Sequence, residues 1–292
     1  MAPASHEDRS PTVSVCVPVY QGGVYLERAV RSVLDQDVDG LELVVRDNGS
    51  TDGSADVVRG FDDPRIRLER AEDTVPLAEN WAHVVGLARG EFVKLLCADD
   101  MLAPGALRTQ LAALRADRSL ALAVGRTDMI DADDRVLFRG RHLPRSVLGT
   151  RSATDVSRAV VRHGGNPIGP PVAGTFRRAD FEAVGGFRDD LEFTMDLDLW
   201  VRLLARGRMH GDRATAASFR VHPGSASAAT SREQLTTQRE FTRRLIANPA
   251  AGIRRRDRVA GVVGSYAAMA RRRALFLYST VRRPAPTAVR TG

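Results

Sequence analysis

Cysteine occurs twice in the 292 residues and lysine once. Cys16 and Cys97 both lie in apolar, strand-like runs, so the sequence predicts buried free thiols in a reducing compartment; a disulfide scaffold and a thiolate metal cluster are both excluded. The single Lys94 leaves positive charge to arginine, which reads as a usage bias rather than a functional choice. No apolar run approaches the roughly 18 residues that a membrane-spanning helix needs, and "MAPASHEDRSP" has no apolar core of a signal peptide, so a cytoplasmic chain is expected. Neither G-x-G-x-x-G nor G-x-x-x-x-G-K-[ST] occurs, which removes the main support for a dinucleotide or P-loop site. There is no internal repeat.

What is present has globular composition, 43% hydrophobic and 27% charged, enough for one large domain. The formal charge of +7 invites a nucleic-acid reading, but it is unevenly placed. From Ile253 onward ten arginines face one acid, Asp257, a net of +9, so the preceding 252 residues carry −2. A basic stripe on a folded face is what nucleic acid requires, and the body of this chain has none; no nucleic-acid partner is expected.

Val13 to Val19, Leu41 to Arg46, Arg65 to Leu68 and Phe92 to Leu96 read as strands. Between them Leu26, Ala29, Val30, Val33 and Leu34 fall at i, i+3, i+4, i+7 and i+8, and Leu77, Trp81, Val84, Val85 and Ala88 make a similar helical stripe. This alternation predicts an α/β fold with a doubly wound, mostly parallel sheet and helices on both faces. Further on, Pro104 to Arg115 reads as a helix, Leu120 to Val124 and Val172 to Phe176 as strands, Asp196 to Leu204 as an amphipathic helix and Ala217 to His222 as a last strand. Arg139 to Gly174 is rich in Pro, Gly and Arg and reads as a long functional loop region.

Open parallel sheets bind ligands beyond the carboxyl ends of their strands. Tyr20-Gln21, Asp47-Asn48 and Asp99-Asp100 each follow such an end, which brings three distant segments to one rim. Singly, Asp47 to Ser50 is also a good turn, and Asp99-Asp100 also a helix cap. Together they point to a ligand, and adjacent carboxylates at a strand end suit a divalent cation with open positions for phosphate oxygens, hence a metal-bound diphosphate.

In order along the chain stand "VSVCVPVYQGG", "LELVVRDNGSTDGS", "RGEFVKLLCADD", "VGGF", "MDLDLWVRL" and "FRVHPGS". Together they resemble the family 2 glycosyltransferases, inverting enzymes of the GT-A fold, over about Val13 to Ser227. The resemblance implies that Pro18, Tyr20, Asp47 and Asn48 hold the base and ribose of a sugar nucleotide. It implies that Asp99 faces the ribose and Asp100 binds a Mg2+ or Mn2+ ion bridging the diphosphate, with His222 near the metal. Asp196 matches the catalytic base towards the acceptor hydroxyl; read alone, it also suits the first turn of a helix. Asn48 stands where many members have a second aspartate, Ala98 adds no third acid, and Met195 replaces a frequent glutamate. A neutral Asn48 can donate and accept at an imide edge, which favours a UDP- or dTDP-sugar over a guanine nucleotide.

The expected organisation is a disordered segment 1–12, a GT-A domain 13–228 with a nucleotide-binding half 13–100 and an acceptor-binding half 101–228, and a helical, arginine-rich extension 229–292. The acceptor implied is a growing polysaccharide or lipid-linked glycan. "MARRRALFLYSTVRR" sets Leu275, Phe276 and Tyr278 between arginines, which suits either a peripheral contact with an anionic membrane or a solvated tail. Two rivals are a catalytically silent nucleotide- or glycan-binding module and a nucleotidyltransferase; the latter needs a basic residue in the loop after the first strand, which "PVYQGG" lacks.

Overall fold

The computed structural model describes residues 10–222, 224 and 231–281, with side chains except at 231–233 and 272–281. Most of the N-terminal segment, and the side chains of Leu275, Phe276 and Tyr278, therefore lie outside the described residues.

Chain order begins β1 (Val13–Val19), α1 (Leu26–Leu34), β2 (Leu41–Asp47), α2 (Ser54–Arg59), β3 (Ile66–Arg70), α3 (Leu77–Gly86) and β4 (Phe92–Leu95). All seven residues of β1 and of β2 are buried, as strands covered on both faces must be. Their side chains alternate: Val13, Val15, Val17 and Val19 enter one core with α1, while Cys16 enters the other with Trp81, Val84 and Val85 of α3. Pairing is parallel, Val13 with Leu41 and with Phe92, so the ends of β1, β2 and β4 reach the same rim.

The second half comprises β5 (Met101–Leu102), α4 (Ala106–Ala116), β6 (Leu120–Ile130), β7 (Val136–Arg141), β8 (Gly149–Arg151), α5 (Ala153–His163), β9 (Gly174–Arg177), α6 (Arg178–Ala183), α7 (Met195–Leu203) and β10 (Arg208–Arg220). Short β9 lies antiparallel between β4 and β6, and β10 runs parallel to β6. Two reversals restore the original direction, so β6 and β10, with Ile130 beside Arg220, end at the same rim as β1 and β4. The order β3-β2-β1-β4-β9-β6-β10-β5 is thus an α/β sheet, parallel from β3 to β4 and mixed beyond.

The stretch expected as a long loop, Arg139 to Gly174, instead contains β8 and an eleven-residue α5. Ser152 accepts from the Asp155 backbone N–H while the Asp155 carboxylate accepts from the Ser152 N–H, a capping box that starts the helix. Two more helices follow, α8 (Ser231–Ala247) and α9 (Arg255–Val281). Phe241 and Leu245 of α8 and Ala251 beyond it belong to the core cluster of Trp81, Phe176 and Trp200, so α8 is packed into the domain.

Candidate active site

The loop after β1 is tied to the loop after β2 by hydroxyls and carboxylates of "DNGSTDGS". The backbone N–H groups of Gln21, Gly22 and Gly23 donate to Ser50 Oγ (2.9 Å), Ser54 Oγ (3.0 Å) and Asp52 Oδ2 (2.8 Å). Gln21 sits at φ 52°, in the left-handed region, and this interlock holds it there. Tyr20 is left 56% exposed at the end of β1, while Pro18 is buried within β1.

Asp47, at the end of β2, is buried; its Oδ1 accepts from Ser50 N (2.9 Å) in an Asx turn. Its Oδ2 has no hydrogen-bond partner among the described residues, although Arg70 Nε stands 3.5 Å away. A buried acceptor of this kind suits an N–H of a ligand. Asn48 is otherwise employed. Its amide donates to Val75 O (2.9 Å) and accepts from Val75 N (3.0 Å) and Arg46 Nη1 (3.2 Å), and Arg46 also donates to Asn80 Oδ1 (2.7 Å). Asn48 therefore pins the segment before α3, with Oδ1 accepting twice and one of its two amide N–H groups unused among the described residues.

Beyond β4, Cys97, Asp99 and Asp100 each offer a ligand atom, all within 4.8 Å of one another. Asp100 is buried; Oδ1 accepts from Arg220 N (2.9 Å) and Oδ2 has no partner among the described residues. Burial first, and then the neighbouring Asp99 carboxylate, push Asp100 well above the usual carboxylate range. An orphaned oxygen beside a second carboxylate is what a hard divalent cation would satisfy, and the residues present fit one. The Cys97 thiol is pushed up by burial and by Asp100, Asp99 and Asp196, so it stays protonated and the carboxylates are the ligands that count.

Arg220 organises this corner. It is fully buried, donates through Nε to Asp99 O (2.8 Å) and through Nη1 to Asp131 O (2.8 Å), pairs with Asp134 (2.6 Å), and lies over the Tyr25 ring at 4.4 Å. His222 Nε2 lies 3.1 Å from Asp99 Oδ2, with its ring 5.0 Å from that of Tyr25. The structure thus sets His222 against Asp99, next to the three-residue group.

Asp196 lies in the first turn of α7, and its charge also bears on the Cys97 thiol. Its Oδ1 accepts from Leu197 N (2.7 Å) and its Oδ2 from Asn166 Nδ2 (2.9 Å). Burial raises its pKa to about 7 against those hydrogen bonds. Asn166 also accepts from the N–H groups of Ile168 and Gly169 and donates to Gly169 O, so "NPIGPP" is folded around the residue that aims Asp196. Asp198, two residues on, is buried and bound to Arg202 (2.6 Å), a packing role.

Residues 14–185, more than half the chain, match the family described as glycosyl transferase family 2. The chain belongs to that family. Among its relatives is the uncharacterised protein MT1568 of Mycobacterium tuberculosis, 34% identical over 203 residues, covering 67% of this chain and 63% of the relative. The hyaluronan synthase of Pasteurella multocida is 27% identical over 210 residues, 70% of this chain and 20% of that one. Staphylococcus aureus TarS 1–349, solved in complex with UDP-GlcNAc, superposes with a TM-score of 0.63 at 18% identity, over 81% of this chain and 67% of TarS. That likeness shows the GT-A fold. This family 2 chain spans a fifth of the hyaluronan synthase and under two thirds of the mycobacterial relative.

In this family 2 chain, the sequence pattern does not single out Arg220 or Tyr25. Arg220 is visible only as the residue before "VHPGS", and Asn166 only as the start of "NPIGPP", a segment suited to shaping an acceptor cleft. Nothing local marks a contact such as Arg220 to Asp100, 120 positions apart.

Proposed function

We propose that this family 2 enzyme transfers a glycosyl group from a nucleoside-diphosphate sugar to an acceptor hydroxyl with inversion. The observation that carries the reading is Asp196: a carboxylate with its pKa raised to about 7 and held by Asn166 Nδ2 at 2.9 Å. A base poised near neutrality is what removal of a hydroxyl proton calls for. Asp196 takes that proton as the acceptor oxygen bonds to the anomeric carbon from the face opposite the diphosphate. The bond to the diphosphate oxygen breaks in the same displacement, and the nucleoside diphosphate leaves with the bonding electron pair.

Asp100 would hold Mg2+ or Mn2+, which supplies positive charge against the diphosphate. Asp99, steadied by His222, faces the ribose; Tyr20 offers its ring and Asp47 its buried Oδ2, which accepts no hydrogen bond among the described residues, to the base. A uracil or thymine imide N–H suits that acceptor, and TarS binds UDP and UDP-GlcNAc, so a UDP-sugar is the first donor to try. The relatives named hyaluronan and chondroitin synthase support a growing glycan as acceptor; a lipid-linked one fits the same chemistry.

The test is a thermal-shift screen of UDP-, dTDP- and GDP-sugars with Mn2+, followed by assay of nucleoside diphosphate release. Binding at a hundredfold excess over Kd adds about 2.7 kcal/mol of stability, a readable shift. Asp100→Ala should abolish the Mn2+-dependent shift and leave the ligand-free midpoint no lower. Full activity in chelator, or in Asp100→Ala, would remove the cation from the reading; binding without turnover of any donor would favour a silent binding module.

A further inference from the structure

Helix α9 is fastened to the domain along one side. Its buried Asp257 is held by Arg162 (2.5 Å) and approached by Arg158 (3.8 Å). Gly261 and Gly264 let its backbone lie on the end of α5: a Cβ at Gly261 would stand 2.6 Å from Val161 O. On the other side Val259, Val262, Val263 and Tyr266 are 61 to 69% exposed. They fall at i, i+3, i+4 and i+7, so they form one stripe, turned away from α5. Arg255, Arg256 and Arg258, all exposed, surround its N-terminal end, and none is in an ion pair among the described residues.

Arg256 also belongs to a basic cleft. With Arg151, Arg158, Arg162 and Asp155 it lines a depression of about 370 Å³; Arg151 is shared with a second, of about 540 Å³, walled by Arg145, His210, Asp212 and Arg213. Arg145, Arg151, Arg213 and Arg256 have no carboxylate within ion-pair distance among the described residues. The second cleft takes in His210 to Arg213 of β10. Nine residues of strand, roughly 30 Å, separate Gly211 from Arg220 at the catalytic rim.

We infer that the apolar stripe of α9 and the arginine clefts that meet it at Arg256 form one docking face for an anionic lipid bilayer. An aliphatic stripe edged by arginines is the pattern of a helix lying in a membrane interface, the valines and tyrosine entering the acyl boundary and the guanidiniums taking phosphates. A second copy of the chain is disfavoured as occupant, because parallel pairing through this stripe brings two sets of Arg255, Arg256 and Arg258 together at like charge, and antiparallel pairing brings them towards the arginines that begin at Arg271. Lipid phosphates in the clefts neutralise the same charges. The face lies where sequence pattern alone did not point, in the first half of α9 rather than around Phe276, and it does not rest on the transferase reading.

The test is co-sedimentation of the full chain with vesicles of equal parts phosphatidylglycerol and phosphatidylcholine, and with phosphatidylcholine alone. Binding to the anionic vesicles only, weakened by salt, is expected. Val262→Ser with Tyr266→Ser, and separately Arg151→Gln with Arg256→Gln, should each weaken it about tenfold. Arg31→Gln with Arg59→Gln, the same loss of charge on α1 and α2, should leave it unchanged. Equal binding by all three double variants, equal binding to neutral vesicles, or no binding by the wild type would overturn the proposal. So would a dimer in analytical ultracentrifugation that the stripe substitutions dissolve. The thermal unfolding midpoint of every variant controls for folding, and since neither nucleotide nor sugar is used, failure here is distinct from failure of the transferase reading.

Discussion

Asp196 and Lys94 are both pushed by burial towards neutrality near pH 7, one from below and one from above. For Asp196 the consequence is kinetic. The ionised form is the base, so kcat/KM of the free enzyme should climb with pH and level off above about 7. Asp196→Asn keeps the shape but loses about 10² to 10⁴ in rate across the whole range, with affinity for the sugar nucleotide little changed. A variant within threefold of wild type, when chemistry limits the rate, would move the base to the acids of "RDDLEF". For Lys94 the consequence is stability. Its ammonium is fully buried and donates to Gln110 Oε1 (2.8 Å) and Gly174 O (3.2 Å), with no carboxylate as partner among the described residues. The folded pKa of about 7 lies below the unfolded value, so the unfolded chain holds the extra proton between about pH 7 and 10.4, and stability rises with pH there. Relative to Lys94→Met, wild type should therefore gain up to about 2 kcal/mol from pH 7 to 9, measured by denaturant unfolding of both. A constant difference between the two would show that Lys94 titrates elsewhere.

Among the elements, the parallel half was legible because β-branched runs buried on both faces and helices with a 3.6-residue stripe leave strong local periods. Helix α5 was passed over because Pro and Gly on either side set the composition of Arg139 to Gly174. The signal was there, in Ser152 followed three residues on by Asp155, then Val156, Ala159 and Val160, all buried. Ser152→Ala removes one half of that box and should cost about 1 kcal/mol, read as a lower unfolding midpoint with unchanged nucleotide affinity. No loss would mean that packing of the apolar face alone sets the start of α5. Strand β9 was expected, but its direction was not readable: four residues carry no sign of parallel or antiparallel pairing, and tertiary contacts with β4 and β6 decide it. The site shows the same division. Asp99, Asp100 and Asp196 announce themselves by type and place, whereas Asn48 and His222 received roles that depend on which neighbour reaches them first.

Across the whole molecule, the boundary that charge suggests and the boundary that packing draws do not coincide. Basicity begins near Ile253, yet α8 places Phe241 and Leu245 in the core of the sheet, and α9 anchors Asp257 on Arg162. If the C-terminal helices fold with the sheet, disturbing the α9 contact should shift one cooperative transition. Gly261→Val is suited to this, because its side chain must push Val161 O away from 2.6 Å, and such overpacking costs about 1 to 3 kcal/mol. In a chain of this size that lowers the midpoint by a few degrees. Scanning calorimetry should then show a single peak moved down, and vesicle binding should weaken because the stripe is no longer held in line with the Arg151 cleft. Two peaks, with only the smaller one moving, would instead make α9 an independently melting appendage, and its docking on α5 would add nothing to the stability of the sheet.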